Sequence, residues 1–370
     1  MNIELYCQST GKTYPANDQR WKSEVGAPLD LRFTSTICKD KLSDRPPTMW
    51  RYREALPIAN DEDIVSFHEG FTPLLPFKVK GKPILLKQEQ LFPTGSFKDR
   101  GASVLISRAK ELGVERIVED SSGNAGAAIA AYAARAGIAC DIYVPDSTSP
   151  AKLAQIELYG SKLHKIPGSR ENTAEAARDA AGDYFYASHV WNPYFFQGTK
   201  TFSFEIWEQL GGRSPDTVIL PSGHGTLLIG AYLGFRDLLT QGLIRKLPRL
   251  LAVQAENCAP LHKMWKENLT DVPKIKSAET MAEGIAIAEP TRARQMLDIL
   301  AETNGDVLVV SESEIQEALL LACSQGLYVE PTSATVIAAY MSYPYTDGET
   351  VIAPLTGHGL KSTEKMLKLI

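Results

Sequence analysis

From Pro83 onward, short aliphatic and β-branched runs alternate with longer stretches of helical period. Ile84-Leu85-Leu86 reads as a strand, and Lys98 to Leu112 as a helix closed by Gly113. Ser96 stands where it would cap that helix, with Asp99 three residues later, close to a capping box. Arg116-Ile117-Val118 is the next strand, Ala125 to Ala136 a helix ended by Gly137, and Cys140 to Val144 a further strand. Thr217 to Leu220 and Thr350 to Pro354 repeat the strand pattern, with Thr226 to Leu239 as another helix. Such alternation predicts a parallel sheet covered by helices, an α/β fold. The texture before about residue 80 is different. Met1 to about Ile64 is irregular and interrupted by Pro46-Pro47 and Pro57, so an arm or small appendage is expected there.

Composition narrows the function class. A chain of 370 residues, 44% hydrophobic, has material for two or three packed domains. Its 39 basic and 44 acidic residues leave a net charge of −5 without basic runs, which argues against nucleic acid or an anionic membrane surface as partner. The most apolar segment, Ala125 to Ala134, is about half the roughly 20 residues that a membrane span requires. The start Met1-Asn2-Ile3-Glu4 has neither the basic nor the apolar part of a secretory signal. Five cysteines (Cys7, Cys38, Cys140, Cys258 and Cys323) lie far apart with no Cys-x-x-Cys pair, the pattern of reduced, packed thiols in a cytoplasmic protein. A small metabolite is therefore the expected partner.

Four glycine-containing loops each follow an expected strand: Pro93 to Ser96, Ser121 to Asn124, Gly223 to Gly225 and Thr356 to Gly359. Open α/β sheets bind ligands at the carboxyl ends of their strands, which is where all four should lie. In Gly223-His224-Gly225-Thr226-Leu227 the glycines permit close backbone approach and the following helix points unpaired N–H groups at the loop, an anion cradle. A plain strand-to-helix turn would read the same way. The loop lacks the Gly-Lys-Ser/Thr of a nucleotide P-loop, and Gly123 to Gly126 lacks the dinucleotide fingerprint, so a phosphate is expected rather than NAD or ATP. Lys98 sits in a first helical turn beside Arg100, where like charge disfavours the ammonium form and frees a nucleophile, although an isolated lysine there is ordinarily a solvated surface residue. His224 and His358 do not have metal-ligand spacing, and no metal site is expected.

Pro93-Thr94-Gly95-Ser96-Phe97-Lys98-Asp99-Arg100-Gly101, Ser121-Ser122-Gly123-Asn124-Ala125-Gly126 and Thr356-Gly357-His358-Gly359-Leu360-Lys361 resemble, in order and spacing, the threonine synthase family. Glu69 to Leu74, Lys200 to Glu205 and Glu330 to Ala334 fit as well, so the resemblance covers nearly the whole chain. It implies a fold-type II pyridoxal-phosphate enzyme, two open twisted α/β domains with the cofactor in the cleft between them. Residues 65–100 and 195–370 would form the large cofactor-binding domain, 101–194 the small one, and 1–64 an arm with a degenerate zinc-ribbon remnant. The same resemblance makes Lys98 the Schiff-base lysine and general acid/base, and Asn124 the partner of the cofactor's phenolic oxygen. Gly223, His224, Gly225, Thr226 and Leu227 become the cofactor phosphate loop. Ser121, Ser122, Asn124 and Ala125 would receive the substrate, and Thr356 would face the pyridine nitrogen, where a neutral hydroxyl moderates the ring as an electron sink.

Two departures from the family pattern matter. The ribbon's four cysteines are reduced to Cys7, with Thr10, Lys22 and Val25 at the other positions, too few ligands for zinc. In Asn192-Pro193-Tyr194-Phe195-Phe196-Gln197-Gly198, Phe195 stands where family members carry an arginine that helps to hold the substrate phosphate, and an aromatic ring does not grip a dianion. His224 and Phe71 likewise replace asparagines, while Arg100 and His189 are candidates to compensate. The expected activity is that of a lyase acting on O-phospho-L-homoserine and adding water to give L-threonine. The alternative is β-elimination or β-replacement on a serine-like substrate, as in serine/threonine dehydratases and cysteate synthases. An amino-acid substrate, a homodimer and a cytoplasmic location complete the expectation, with no nucleic-acid or membrane partner.

Overall fold

The alternation of strand and helix builds two separate parallel sheets. The structure is a computed structural model that describes residues 2–369. Its thirteen strands among these residues are β1 (Glu4–Tyr6), β2 (Thr13–Pro15), β3 (Asp30–Arg32), β4 (Leu74–Val79), β5 (Lys82–Lys87), β6 (Arg116–Glu119), β7 (Ala139–Pro145), β8 (Lys162–Ile166), β9 (Phe185–Tyr186), β10 (Thr217–Pro221), β11 (Arg249–Ala255), β12 (Asp306–Val310) and β13 (Val351–Pro354). The chain divides into two units, Met1–Gly70 with Lys98–Thr199, and Phe71–Phe97 with Lys200–Ile370. These boundaries differ by a few residues from the 64/65, 100/101 and 194/195 divisions expected from sequence. The first seventy residues belong to the first unit rather than standing apart as an arm.

The first unit carries a four-stranded sheet in the order β8-β7-β6-β9, parallel throughout. Its helix Asn124–Ala136 is buried along most of its length, which is why its sequence shows an alanine-rich run instead of an amphipathic stripe. Gly137 ends that helix in the left-handed conformation, as the sequence predicts. A small antiparallel sheet, β2-β1-β3, pairs Leu5 with Tyr14 and with Leu31. Leu5, Cys7, Tyr14 and Leu29 belong to the same hydrophobic core as Val104, Leu105 and Ile129. That shared core explains why a segment irregular in sequence is not an appendage. Where a ribbon would place metal, Cys7 is buried with its Sγ 3.1 Å from Ser9 Oγ. Trp21, also buried, meets Tyr186 and Trp191 edge to face at 5.1 and 5.0 Å.

The second unit holds a six-stranded sheet, β12-β11-β10-β13-β5-β4, in which only the edge strand β4 runs antiparallel. Every residue of β10 and β13 is buried, the pattern of strands covered on both faces, and it accounts for the apolar runs Val218-Ile219-Leu220 and Val351-Ile352-Ala353. A buried ion pair braces this unit: Lys87 Nζ lies 2.7 Å from Glu205 Oε2, both side chains fully buried. The Thr72 N–H donates to the same carboxylate oxygen and Gln209 Oε1 accepts from Lys87 Nζ, so both charges keep hydrogen-bond partners away from water. Among the described residues no helix is long and apolar enough to cross a membrane.

Candidate functional site

In the first unit, β6 ends at Glu119, a short turn follows, and the helix Asn124–Ala136 begins. Ser121 Oγ accepts from the Gly123 N–H at 3.3 Å, which folds the turn back onto itself. Gly123, at the helix cap, supplies no side-chain cap. The first-turn N–H groups of this helix thus have a partial positive charge and no capping side chain, the arrangement that receives a carboxylate. This places Ser121, Ser122, Asn124 and Ala125 together at one helix start.

Lys98 opens the helix Lys98–Glu111 and is half-buried. Its Nζ stands 5.6 Å from the centre of the Phe195 ring. On another side of that ring, His189 lies with its centre 6.0 Å away in an edge-to-face arrangement. His189 Nδ1 is 2.7 Å from Glu119 Oε1, with both side chains buried, while Glu119 Oε2 is buried with no hydrogen-bond partner. Burial, reinforced by the neighbouring Asp120 charge, holds the Glu119 carboxyl well above the usual carboxylate range, against the opposing pull of the Asp120 backbone N–H and the Lys98 charge. Burial also raises Asp120, although it receives the Tyr186 hydroxyl at 2.9 Å.

The second unit supplies the other constellation. After β10, Ser222 to Gly225 lead into the helix Thr226–Thr240, whose cap residue Gly225 has φ +76° and offers no side-chain cap. A Cβ at Gly225 would fall 2.1 Å from Met296 Sδ, so backbone conformation and space both demand glycine. A helix start without a side-chain cap, behind a glycine loop, suits a phosphate dianion. After β13, the Thr356 hydroxyl donates to Glu330 Oε1 at 3.1 Å and is 3.1 Å from Ser333 Oγ. The Phe97 N–H donates to Thr356 O at 3.1 Å, the His358 N–H to Gly95 O at 2.9 Å, and Lys361 Nζ to Thr94 O at 2.7 Å. These bonds bring the Pro93–Phe97 and Thr356–Lys361 loops together, as their shared position after parallel strands predicts. A cavity of about 470 Å³ in this unit, lined by Phe77, Ile84 and Val351 among others, opens at the amino ends of β5 and β13, away from these loops.

One sequence expectation changes, and two residues of the Asn192–Gly198 segment turn out to serve packing and local structure. Ser96 makes no cap: its Oγ is buried without a hydrogen-bond partner. Phe195 does not line an open subsite but is fully buried, its ring occupying the space that a side chain on residue 101 would need. Asn192 serves local structure, its Oδ1 accepting from the Tyr194 N–H and its Nδ2 donating to Tyr186 O, both at 3.2 Å. Sequence reasoning missed Glu119 altogether. Glu330 and Ser333 stand out in sequence only as members of a motif, without a task; their bonds to Thr356 are long-range and leave no local signal.

Residues 65–357 match the family described as pyridoxal-phosphate dependent enzyme. The threonine synthase of Methanocaldococcus jannaschii is 34% identical over 380 residues, covering 98% of this chain and 94% of its own. That of Mycobacterium bovis is 36% identical over 335 residues, covering 87% and 91%. Among solved structures, a threonine deaminase from T.th. is similar with a TM-score of 0.66 at 28% identity, over 78% of this chain and 92% of that one. A fungal L-serine ammonia-lyase from Rhizomucor miehei gives a TM-score of 0.70 at 21% identity, over 80% and 96%, a likeness of fold.

Proposed function

Given that the chain belongs to the pyridoxal-phosphate dependent enzymes of fold type II, we propose that it is a threonine synthase-type lyase, eliminating from O-phospho-L-homoserine and adding water to give L-threonine. The observation that carries the reading is Lys98, a half-buried lysine at a helix start in the same unit as the uncapped Asn124 helix. In this reading the residues that would hold the cofactor are Lys98 through its Nζ, Asn124 at the phenolic oxygen, the Gly223–Leu227 backbone at the phosphate, and Thr356 at the ring nitrogen. The bound cofactor supplies an electron-accepting ring that acidifies the substrate's α-proton. The backbone N–H groups at Asn124 and Ala125, with the Ser121 and Ser122 hydroxyls, orient the substrate carboxylate. Lys98 Nζ then takes the α-proton and later returns it.

One observation favours a second substrate reading, β-elimination or β-replacement on a serine-like amino acid. Phe195, at the position of the family's phosphate-holding arginine, is fully buried and brings no charge. Product analysis of the holoenzyme with O-phospho-L-homoserine, O-phosphoserine, serine and threonine separates the two. Threonine from O-phospho-L-homoserine supports the first reading, and a 2-oxo acid from serine or threonine supports the second.

A further inference from the structure

We propose that Ser96 is a further cofactor-positioning residue: its hydroxyl, which nothing in the protein satisfies, makes its hydrogen bond to the bound pyridoxal phosphate at the ring-nitrogen end, beside Thr356. The inference deepens the reading above and rests on its assignment of Thr356 to the ring nitrogen. Ser96 is fully buried, and its Oγ has no hydrogen-bond partner among the described residues. Taking a hydroxyl out of water without replacing its bond is unfavourable, and an alanine in the same place would avoid that penalty. Packing alone therefore gives no reason for a serine here, whereas a bound ligand that completes the bond does.

The backbone fixes the side to which this hydroxyl projects. Ser96 and Gly357 form an antiparallel bridge, flanked by the Phe97 N–H on Thr356 O and the His358 N–H on Gly95 O. Bonds on either side of the two residues make them a non-hydrogen-bonded pair, the kind whose side chains stand closest, on one face. Gly357 brings no side chain to that face, and a Cβ there would run into the Glu330 carboxyl. Ser96 thus projects to the face on which Glu330 lies, and Glu330 Oε1 is the atom that receives the Thr356 hydroxyl. The neighbouring hydroxyls are engaged within the protein, Thr356 with Glu330 and Ser333 Oγ with the Gly357 N–H at 3.1 Å. Within this group of described residues, Ser96 is the hydroxyl that keeps its full bonding capacity, two residues before Lys98. Because a hydroxyl both donates and accepts, it serves a ring nitrogen in either protonation state.

Ser96→Ala takes away only the oxygen, and no described protein group loses a partner with it. The variant apo-protein is therefore expected to melt at the parent's temperature or above it. Titration of the same apo-protein with pyridoxal phosphate, followed by absorbance, should show about three- to tenfold weaker binding. A purely structural role would not stabilise or spare the apo-protein while weakening the cofactor. Ser333→Ala supplies the contrast, since it deprives the Gly357 N–H of its acceptor and should lower the melting temperature of the apo-protein. Unchanged binding of pyridoxal phosphate by Ser96→Ala would mean that the hydroxyl meets only trapped water, and would overturn the proposal. An apo-protein destabilised as far as by Ser333→Ala would overturn it as well. Either result leaves the lyase reading standing; a parent protein that takes up no pyridoxal phosphate at all would bring down both.

Discussion

The ring of Phe195 fills the space beside Gly101: a Cβ on residue 101 would fall 2.4 Å from the ring carbons. Glycine and phenylalanine are thus matched across the helices Lys98–Glu111 and Pro193–Thr199, and the match sets where the Lys98 end of the first helix packs.

The match makes both residues sensitive. Gly101→Ala is expected to cost about 1–3 kcal/mol through overpacking, and Phe195→Leu in the same chain should recover part of it. Phe195→Arg, which would restore the family's charge, has to bury a guanidinium here and should cost about 3–5 kcal/mol. Thermal melts of the three variants check this order; a Phe195→Arg protein as stable as the parent would show that the pocket opens readily.

Lys98→Ala should abolish turnover and the covalent attachment of the cofactor. Borohydride treatment of the parent holoenzyme, followed by peptide mapping, should place the cofactor on position 98. A modified lysine elsewhere refutes the assignment.

Gly225→Ala forces a side chain into the left-handed region beside Met296, about 1–2 kcal/mol of strain in the loop assigned to the cofactor phosphate. Roughly tenfold weaker retention of pyridoxal phosphate should follow, measured by absorbance after dialysis, with little change in the fold.

In the second unit, Glu205→Ala strands the fully buried Lys87 ammonium. A loss of about 3–5 kcal/mol is expected in denaturant titration, much larger than for an exposed pair such as Lys12–Glu24.

Asp141 joins β7 to its neighbours, with Oδ1 2.6 Å from His164 Nε2 and Oδ2 2.6 Å from Arg116 Nη1. Burial raises its carboxyl, but these two partners outweigh burial and hold it below the ordinary range. A carboxyl lowered in the folded state adds stability above its unfolded pKa and loses it as pH falls through the folded value. Asp141→Asn should therefore cost about 1–3 kcal/mol at pH 7, and the difference should vanish in strong acid. Melts at pH 7 and at a series of falling pH values well below the ordinary aspartate range follow the difference to its disappearance.

Much of the molecule is legible in the sequence because its determinants are local. The alternation of β-rich and helical runs marks β5, β6, β7, β10 and β13, and Gly113 and Gly137 mark two helix ends, since periodicity and left-handed caps are properties of neighbouring residues. Lys98, Asn124 and the Gly223–Leu227 loop stand out for the same reason: each lies in a contiguous motif at a strand-to-helix turn. Tertiary structure alone decided the rest. The N-terminal seventy residues look like an appendage because their apolar residues have no period of their own; Leu5, Cys7 and Leu29 acquire a core only by meeting Val104 and Ile129. Phe195 reads as a missing charge, and only its approach to Gly101 shows it as packing. Glu119 and His189 are 70 positions apart, and nothing near either announces the other. A hydrogen bond between distant side chains depends on how the strand and the loop are brought together, and a burial-driven proton affinity depends on the solvent that folding removes.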